Sequence, residues 1–231
     1  MRKIEQRFKL AAVALALIVV SNLQAQEQSV KPGINKNFEN PSVENYIQMF
    51  ENESRAIYGH REQILAALKL QPGDDIADVG AGTGFFSRIF AKEVTKDGTV
   101  YPVDIAKNFI EHNKKEAKKA KLKNIEPILC TERSVELPEN SVDVVFICDT
   151  YHHFEYPVDT MASIHRALRP GGRLMIVDFE RVKSISTDWT LDHVRCGKGV
   201  VTDEVKDAGF DFVEEIPLME EQYVITFKKR G

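Results

Sequence analysis

The stretch Asp78-Val79-Gly80-Ala81-Gly82-Thr83-Gly84 decides the fold class of this chain. It follows a short apolar run around Ile76 and precedes the apolar-periodic segment 85–90. This order predicts a strand, a tight glycine turn and a helix. Glycine suits such a turn because it adopts positive φ without strain and has no Cβ to keep a ligand away from the backbone. The exposed amides expected at the helix start favour carboxylates and phosphates.

The spacing of these glycines distinguishes two kinds of nucleotide site. A dinucleotide-binding loop reads G-x-G-x-x-G, whereas this loop reads G-x-G-x-G with Asp78 two positions ahead of the first glycine. A carboxylate there repels a pyrophosphate and accepts hydrogen bonds from a cationic amino group. The pattern resembles the first motif of the class I S-adenosylmethionine-dependent methyltransferases. An ordinary glycine-rich turn between a strand and a helix is the competing interpretation.

The resemblance continues beyond the glycine loop. A second strand is predicted to end at Asp104 and Ile105, where a carboxylate accepts both hydroxyls of a ribose, although a strand-end Asp can instead be a helix N-cap. Over Leu168–Val177 a helix ends, turns on Pro-Gly-Gly and enters a buried strand, as in the family, where this loop is architectural. The matching motifs cover roughly residues 70–180 and follow the order of the family.

The order of elements predicts an α/β fold. We expect strands near 75–79, 99–103, 125–129, 142–147 and 173–178, and helices near 84–94, 106–120 and 157–168. Strands that alternate with helices form parallel βαβ units. Strands near 212–216 and 222–227, joined through Pro217, form a hairpin. We therefore predict a Rossmann-like, doubly wound, seven-stranded sheet, mostly parallel with a C-terminal antiparallel hairpin and with helices on both faces.

The region ahead of the first strand divides into three parts. Residues 1–25 are interpreted as a signal peptide or N-terminal anchor, 26–41 as a polar linker, and 42–231 as the methyltransferase domain. The domain begins with a helical cap over 42–70, in which Ser42 caps a short helix and a longer helix runs from about 53 to 70. Arg55, Tyr58 and Arg61 either reach a ligand from this cap or lie on a solvated helix face.

The N-terminus has the composition of a secretory signal. Basic residues in 1–9 precede the uninterrupted apolar run Leu10–Val20 and the polar stretch Ser21–Ser29, with cleavage expected after Ala25. The apolar run is short for a transmembrane helix. We expect a protein that is exported, to the periplasm or beyond, or is anchored by its N-terminus; it is cytoplasmic if the segment is not a working signal.

Composition narrows the class of partner. A net charge of -4 over 231 residues gives no basic footprint for nucleic acid, and the lysines over 114–123 are interpreted as a solvated helix face. The membrane is expected as a partner only through an uncleaved N-terminal segment. Three cysteines, Cys130, Cys148 and Cys196, give neither a disulfide framework nor a zinc site because their number is odd and no two lie close in sequence.

Ligands in an open α/β sheet bind at the carboxyl ends of the strands. The resemblance implies S-adenosylmethionine as the cofactor and Asp149, after the fourth strand, as a residue that holds its ammonium group. Glu132 or a backbone group would contact adenine, because the usual acidic position of the family is Arg133 here. The implied cofactor-binding residues are Asp78, Gly80, Ala81, Gly82, Thr83, Gly84, Asp104, Ile105, Glu132 and Asp149.

Histidines provide the candidate catalytic groups. His152 and His153 follow Asp149, and at least one either faces the acceptor or packs at the start of a helix. Adjacent histidines are expected to point in different directions, so we predict no metal site. Trp189, with His193 and Arg195 nearby, forms either a pocket lid or a helix packed on the core. His153 or His193 is the candidate general base, if the acceptor loses a proton.

Together these patterns predict an S-adenosylmethionine-dependent methyltransferase that acts on a small organic acceptor. The core resembles the broad group that includes the ubiquinone and menaquinone biosynthesis methyltransferases. Two other classes stay open: a non-catalytic cofactor-binding protein of the same fold, and a nicotinamide-dependent oxidoreductase, which the glycine spacing and the terminal hairpin disfavour.

Overall fold

The computed structural model describes residues 26–231, so the predicted signal or anchor over 1–25 lies outside the described residues. The described chain contains one seven-stranded sheet in the order β3-β2-β1-β4-β5-β7-β6. Its strands are β1 Ile76–Val79, β2 Val100–Asp104, β3 Ile128–Leu129, β4 Val142–Cys148, β5 Leu168–Phe179, β6 Phe210–Glu215 and β7 Gln222–Lys229. All neighbours among β1 to β5 pair in parallel. β7 runs antiparallel to both β5 and β6, as the sequence predicts.

Eight α-helices connect or flank these strands in the described part of the chain. They are α1 Val43–Phe50, α2 Ala56–Gly59, α3 Arg61–Leu68, α4 Phe85–Glu93, α5 Lys107–Lys119, α6 Pro157–Ala167, α7 Asp188–His193 and α8 Lys198–Asp207. Ser42 caps α1 as expected, since its side chain accepts a hydrogen bond from the Asn45 amide. The expected Rossmann-like arrangement is confirmed.

The single helix predicted over 53–70 is wrong. The chain forms two shorter helices, α2 and α3, which are interrupted at His60. Gly59 precedes the break, and glycine costs about 1 kcal/mol relative to alanine inside a helix. Arg55 consequently lies before α2, with an extended backbone, rather than on a helix face.

The core occupies both faces of the sheet because alternate residues of each strand point to opposite sides. On β4, Val145 and Ile147 face one cluster whereas Val144 and Phe146 face the other. The first cluster includes residues of α6 and α8: Met161, Ile164, Val201 and Val205. The second includes residues of α3 and α4: Ile64, Leu68, Phe86 and Phe90. The central strands β1, β4 and β5 are thus shielded on both sides, whereas the edge strand β6 is largely exposed.

The Pro-Gly-Gly turn begins β5 at the amino ends of the strands, away from the candidate ligand-binding edge. Arg169 in this turn donates to Asp75, just before β1, at 2.8 Å and to Asp143 of β4 at 2.6 Å. These contacts tie three neighbouring strands together, in line with an architectural role.

The segment 26–41, interpreted from sequence as a linker, is hydrogen-bonded to the domain. The buried Glu155 carboxylate accepts from the Ser29 hydroxyl at 2.6 Å and from the Gly33 amide at 3.1 Å. Asn35 donates to the carbonyl of His153 at 3.1 Å. The segment therefore lies across the edge of the sheet where the candidate site residues are.

Two further expectations concern membranes and disulfides. Among the helices of residues 26–231, none has the length and apolar character needed to cross a membrane. Cys130, Cys148 and Cys196 are all free thiols. Burial raises the pKa of each thiol, to about 11 for Cys196, so all three are protonated at neutral pH.

Candidate active site

A cleft opens at the carboxyl ends of β1, β2 and β4, where the topology predicts ligands to bind. It encloses about 1040 Å³ of empty space, part of which is open to solvent. Six phenylalanines give the cleft apolar walls: Phe38, Phe50, Phe85, Phe86, Phe109 and Phe154.

The glycine loop forms one wall of the cleft, and all three of its glycines have positive φ, at 74°, 52° and 72°. Packing alone excludes a side chain at two of them. A Cβ on Gly80 would lie 2.2 Å from the Thr150 side chain, and one on Gly84 would lie 1.5 Å from Asn113 Oδ1. A Cβ on Gly82 meets nothing closer than 3.4 Å. Gly82 is therefore the glycine that leaves space beside the cleft.

The amides of this loop are largely used within the protein, so the expectation that they are exposed to a ligand is wrong for four of them. The Gly80 and Ala81 amides donate to the Val103 carbonyl, Gly82 to the Asp104 carboxylate and Gly84 to the Ala81 carbonyl. These bonds tie the loop to the end of β2. The loop is a preformed wall rather than a cradle of free amides for phosphates.

Asp104 connects the glycine loop to the start of α5. Its two carboxylate oxygens accept from the Gly82 and Ala106 amides, both at 2.8 Å, and the residue is only 6% exposed. Ala106, not Asp104, occupies the N-cap of α5, so the N-cap interpretation is wrong. Burial raises the pKa of Asp104 to about 6 against the opposing effect of these hydrogen bonds. Each carboxylate oxygen keeps a further lone pair for a ligand, and the following Ile105 also lines the cleft.

Asp78 lies at the base of the glycine loop. Its Oδ2 accepts from the Ser87 hydroxyl at 2.5 Å. Burial, with a smaller contribution from the Asp104 charge, raises the pKa of Asp78 to about 7. Thr83 lines the same cleft, and its carbonyl accepts from Arg88 at 2.7 Å.

Asp149 carries the clearest sign of a missing partner. Its Oδ2 accepts from Arg55 at 2.5 Å, but its Oδ1 is buried and has no hydrogen-bond donor among the described residues. Burial raises the pKa of Asp149, although the Arg55 charge opposes the shift. Buried polar atoms without partners are uncommon in folded proteins. A ligand that brings an N–H or O–H donor would satisfy this oxygen.

The ionisable side chains that line the cleft are mostly carboxyl groups. Asp78, Asp104, Glu132 and Asp149 all contribute to its wall. Arg55 is the one lysine or arginine that lines it in the described part of the chain. Such a site attracts a cationic ligand and repels the two phosphates of a dinucleotide.

Glu132 and Arg133 take different positions. Glu132 lines the cleft, and burial followed by the charge of Glu155 raises its pKa. Arg133 instead pairs with Asp159, donates to the Gln26 carbonyl at 2.6 Å and lies with its guanidinium carbon 3.6 Å from the Tyr156 ring centroid. At the position where the family often has an acidic residue, this chain therefore has a group that fixes the N-terminal segment.

The histidines converge, and the expectation that His152 and His153 point in different directions is wrong. They lie in the 3-10 turn Tyr151–His153, and their ring centroids are only 4.3 Å apart. In a tight helical turn, successive side chains do not alternate between opposite sides as they do in a strand. His193, at the end of α7, approaches the same point, with its Nε2 at 3.4 Å from His153 Nε2.

Burial gives these rings different protonation preferences. His152 is held by Asp178, whose carboxylate accepts from the ring Nδ1 at 2.7 Å and from the backbone amide at 3.0 Å. Burial lowers the pKa of His152, but Asp178 outweighs burial and raises it overall. Burial and the neighbouring imidazoles lower the pKa of His153 to about 2 and also lower that of His193. His153 lines the cleft as a neutral ring.

The interpretation of Trp189 as a core residue is wrong, because the side chain is 58% exposed. Its ring stacks on His193 with centroids 4.5 Å apart, so α7 places an aromatic cover over that histidine. Arg195 does not line the cleft. It forms a double ion pair with Glu204 at 2.6 and 2.9 Å beneath α8 and lies over the Tyr151 ring.

Of the three cap residues, only Arg55 reaches the cleft. Arg61 pairs with Glu53 and lies over the Tyr58 ring, and that ring stacks on Phe85. Sequence reasoning missed several residues that shape the site: Asn35, Phe38, Phe50, Ser87, Asn113 and Asp178. Of these, Ser87 follows the loop closely enough to be suspected, whereas the others come from distant segments.

Comparison with known proteins agrees with the geometry. Residues 77–176 match a family model described as a methyltransferase domain. Over these residues the chain is similar to a methyltransferase domain. The matched residues run from β1 into β5 and include the glycine loop, Asp104 and the histidine turn.

Curated methyltransferases share this core. The chain is 28% identical over 118 residues to the demethylmenaquinone methyltransferase of Listeria welshimeri, an alignment that covers 51% of this chain and 50% of the relative. It is also 28% identical over 119 residues to a ubiquinone/menaquinone biosynthesis C-methyltransferase of Paraburkholderia xenovorans, with 51% and 48% covered. The chain thus spans about half the length of the curated relatives that it matches.

Solved structures share the fold. A SAM-dependent methyltransferase from Aquifex aeolicus superposes with a TM-score of 0.72 at 23% identity, covering 82% of this chain and 99% of that one. The cyclase SpnF has a TM-score of 0.63 at 15% identity, with 75% and 81% covered. At these identities the likeness establishes the fold alone, and the fold carries more than one chemistry.

Proposed function

We propose that this protein binds S-adenosylmethionine in the acidic cleft and transfers its methyl group to a small organic acceptor. The observation that carries the proposal is the unpaired, buried Oδ1 of Asp149 in a cleft whose other ionisable walls are mainly carboxylates. The cofactor has a cationic ammonium and a cationic sulfonium, so it suits this charge better than a pyrophosphate does. The methyltransferase domain over residues 77–176 supports the same conclusion.

The cleft offers partners for each part of the cofactor. Asp149 would accept from the ammonium group, and the adjacent Arg55 would pair with the carboxylate of the same amino-acid end. Asp104 would accept from the ribose hydroxyls with the lone pairs that its backbone bonds leave free. Glu132 and the phenylalanine walls would contact the adenine ring.

When bound, S-adenosylmethionine supplies a methyl group that its sulfonium has already activated. The protein's own task is then to orient the acceptor and exclude water, and orientation can contribute roughly 7 kcal/mol or more to the rate. A general base is needed only for an acceptor that loses a proton. Burial lowers the pKa of His153 to about 2 and also lowers that of His193, so neither imidazole is a strong proton acceptor and we assign no general base.

The acceptor itself is proposed by class. The curated relatives are named for demethylmenaquinone and for ubiquinone and menaquinone biosynthesis, but they match only part of this chain. The walls of the cleft combine phenylalanines with the neutral His153. These features favour a small, uncharged organic acceptor with an apolar portion.

Turnover of methyl-labelled S-adenosylmethionine with a metabolite extract tests this proposal. We expect labelled product with the wild-type protein and at least tenfold less with Asp149→Asn. Cofactor binding without turnover would favour a non-catalytic binding protein or a different reaction on the same fold. The second possibility is considered because the cyclase SpnF has a similar fold. Binding of NADH instead would favour the oxidoreductase alternative.

A further inference from the structure

Three histidines outside the proposed cofactor contacts form a cluster with the geometry of a metal site. One nitrogen from each of His152, His153 and His193 lies within 4.8 Å of the other two, and no other such group of potential ligands occurs within residues 26–231. Two of the three come from one 3-10 turn and the third from the end of α7, on the other side of β5 in sequence. The cluster is thus assembled by the tertiary fold.

The spacing fits tetrahedral coordination. Zinc–imidazole bonds of 2.0–2.1 Å place two ligand nitrogens about 3.3 Å apart. His153 Nε2 and His193 Nε2 lie 3.4 Å apart already. The remaining nitrogen needs to shift by at most about 1.5 Å to reach the same separation.

A second observation concerns the shell behind the ligands. Metal-bound histidines almost always donate their other ring N–H to a carboxylate or carbonyl, which fixes the ring and strengthens the ligand. His152 has this arrangement: Asp178 accepts from its Nδ1 at 2.7 Å, and in the neutral ring, the form that binds a metal, Nε2 then carries the lone pair. Both residues are almost fully buried, at 3% and 1% exposure, so the orientation is rigid.

A third observation is the lack of other partners. His153 Nδ1 is buried and has no hydrogen-bond partner among the described residues. Trp189 covers His193 from the solvent side with its ring stacked 4.5 Å away. The three imidazoles therefore converge on one partly covered point, and within residues 26–231 no other side chain is a hydrogen-bond partner of the His153 and His193 rings.

We propose that His152, His153 and His193 bind one divalent transition-metal ion, with Asp178 orienting His152. Imidazole ligands suit zinc, copper, iron and nickel rather than magnesium or calcium. Three neutral protein ligands leave a fourth position for water or for an anionic oxygen or sulfur donor. The proposal does not depend on cofactor binding, since none of the three imidazoles is among the groups proposed to hold S-adenosylmethionine.

The test uses full-length, tag-free protein stripped of metal with a chelator. Zinc is titrated in competition with a chromophoric chelator, and cobalt is titrated with visible absorption as the readout. We expect one ion per chain and the intense visible bands of tetrahedral cobalt. His193→Ala is the main variant because this residue lies at a helix end and is only partly buried. We expect it to weaken zinc binding at least tenfold with unchanged circular dichroism and melting temperature.

Two further variants separate a metal site from general packing. His112→Ala, which removes a partly buried histidine on α5, should leave zinc affinity and the cobalt spectrum unchanged. Asp178→Asn should weaken zinc binding by about 10- to 100-fold, as expected for a carboxylate that orients a ligand. Wild-type protein that gives no cobalt bands, or zinc affinity that is the same in His193→Ala, would overturn the proposal.

Discussion

Replacement of Asp104 by asparagine tests the ribose contact and the packing of the glycine loop in one variant. The carboxylate accepts from two buried backbone amides, at Gly82 and Ala106, both at 2.8 Å. An asparagine side chain has one acceptor oxygen, so one of these amides loses its partner and faces an NH₂ group instead. A buried polar group without a partner costs about 1–3 kcal/mol. We therefore expect the free energy of unfolding to fall by about 1–3 kcal/mol, measured by urea denaturation.

Cofactor affinity should fall as well. Each hydrogen bond from a ribose hydroxyl to a carboxylate is worth about 1.5–3 kcal/mol. At about 1.4 kcal/mol per decade, S-adenosylhomocysteine should bind at least tenfold more weakly to Asp104→Asn. Asp97→Asn is the matched control, because Asp97 has a 65% exposed side chain and does not line the cleft.

A distorted loop would also weaken binding, so the ribose contact needs its own measurement. Wild-type protein should prefer S-adenosylhomocysteine over its 2′,3′-dideoxy analogue, and Asp104→Asn should lose most of that preference. This comparison isolates the coupling between the side chain and the hydroxyls. A variant that keeps the full preference would refute the ribose contact, whatever happens to its stability.

Three other predictions follow from the site. Asp149→Asn should weaken S-adenosylhomocysteine binding at least tenfold in calorimetry. Binding of 5′-methylthioadenosine, which lacks the ammonium group, should be unaffected. Equal losses of affinity for the two ligands would contradict the contact between Asp149 and the ammonium group. Gly84→Ala should lower the free energy of unfolding, measured by urea denaturation, by about 3 kcal/mol or more, since its Cβ would clash with Asn113. Gly82→Ala should lower it by only about 1–2 kcal/mol, because of the positive φ. Similar losses in the two variants would argue against the packing role of Gly84. Because burial raises the pKa of Asp78 from 3.8 to about 7, the folded state keeps a proton that the unfolded state loses, so the free energy of unfolding should decrease from about pH 4 to 7. Asp104, whose pKa is raised to about 6, contributes to the same decrease, so Asp78→Asn should reduce the slope without abolishing it, and an unchanged slope would rule out Asp78 as a source.

The proposal of export rests on residues 1–25 alone. Fused to a reporter enzyme that is active only after export, this segment should give activity, whereas a fusion with Lys or Asp within Leu10–Val20 should not. Equal activity from the two fusions would contradict a signal or anchor. Export would separate the protein from S-adenosylmethionine made in the cytosol, so the outcome also bears on where methyl transfer takes place.

The sequence predicted the sheet well because its determinants are local. Apolar strands alternate with amphipathic helices along the chain. In the turn between β1 and α4, Gly80 and Gly84 have positive φ, which residues other than glycine rarely adopt. The terminal hairpin was also predicted correctly, from two short strand patterns on either side of Pro217. The break at His60 was missed because a single Gly inside an apolar-periodic stretch does not decide between a continuous and an interrupted helix.

The site was only partly predictable, since its polar contacts join residues that are distant in sequence. Asp104 was predicted as a site residue, but its two backbone partners were not, so its role in holding the glycine loop against the start of α5 was missed. The two adjacent histidines were expected to point in different directions, and no local pattern indicates that His193 approaches both of them. The hydrogen bond between Asn35 and His153 could not be predicted, because Asn35 lies in a polar segment whose composition is typical of a linker.

The central claim is that the acidic cleft at the carboxyl ends of the strands holds S-adenosylmethionine. Calorimetric titration of the folded, full-length protein with S-adenosylhomocysteine at pH 7.5 tests it most directly. The account predicts saturable binding with one ligand per chain and no binding heat with NADH under the same conditions. A well-folded protein that does not bind S-adenosylhomocysteine, or that binds NADH instead, would contradict it.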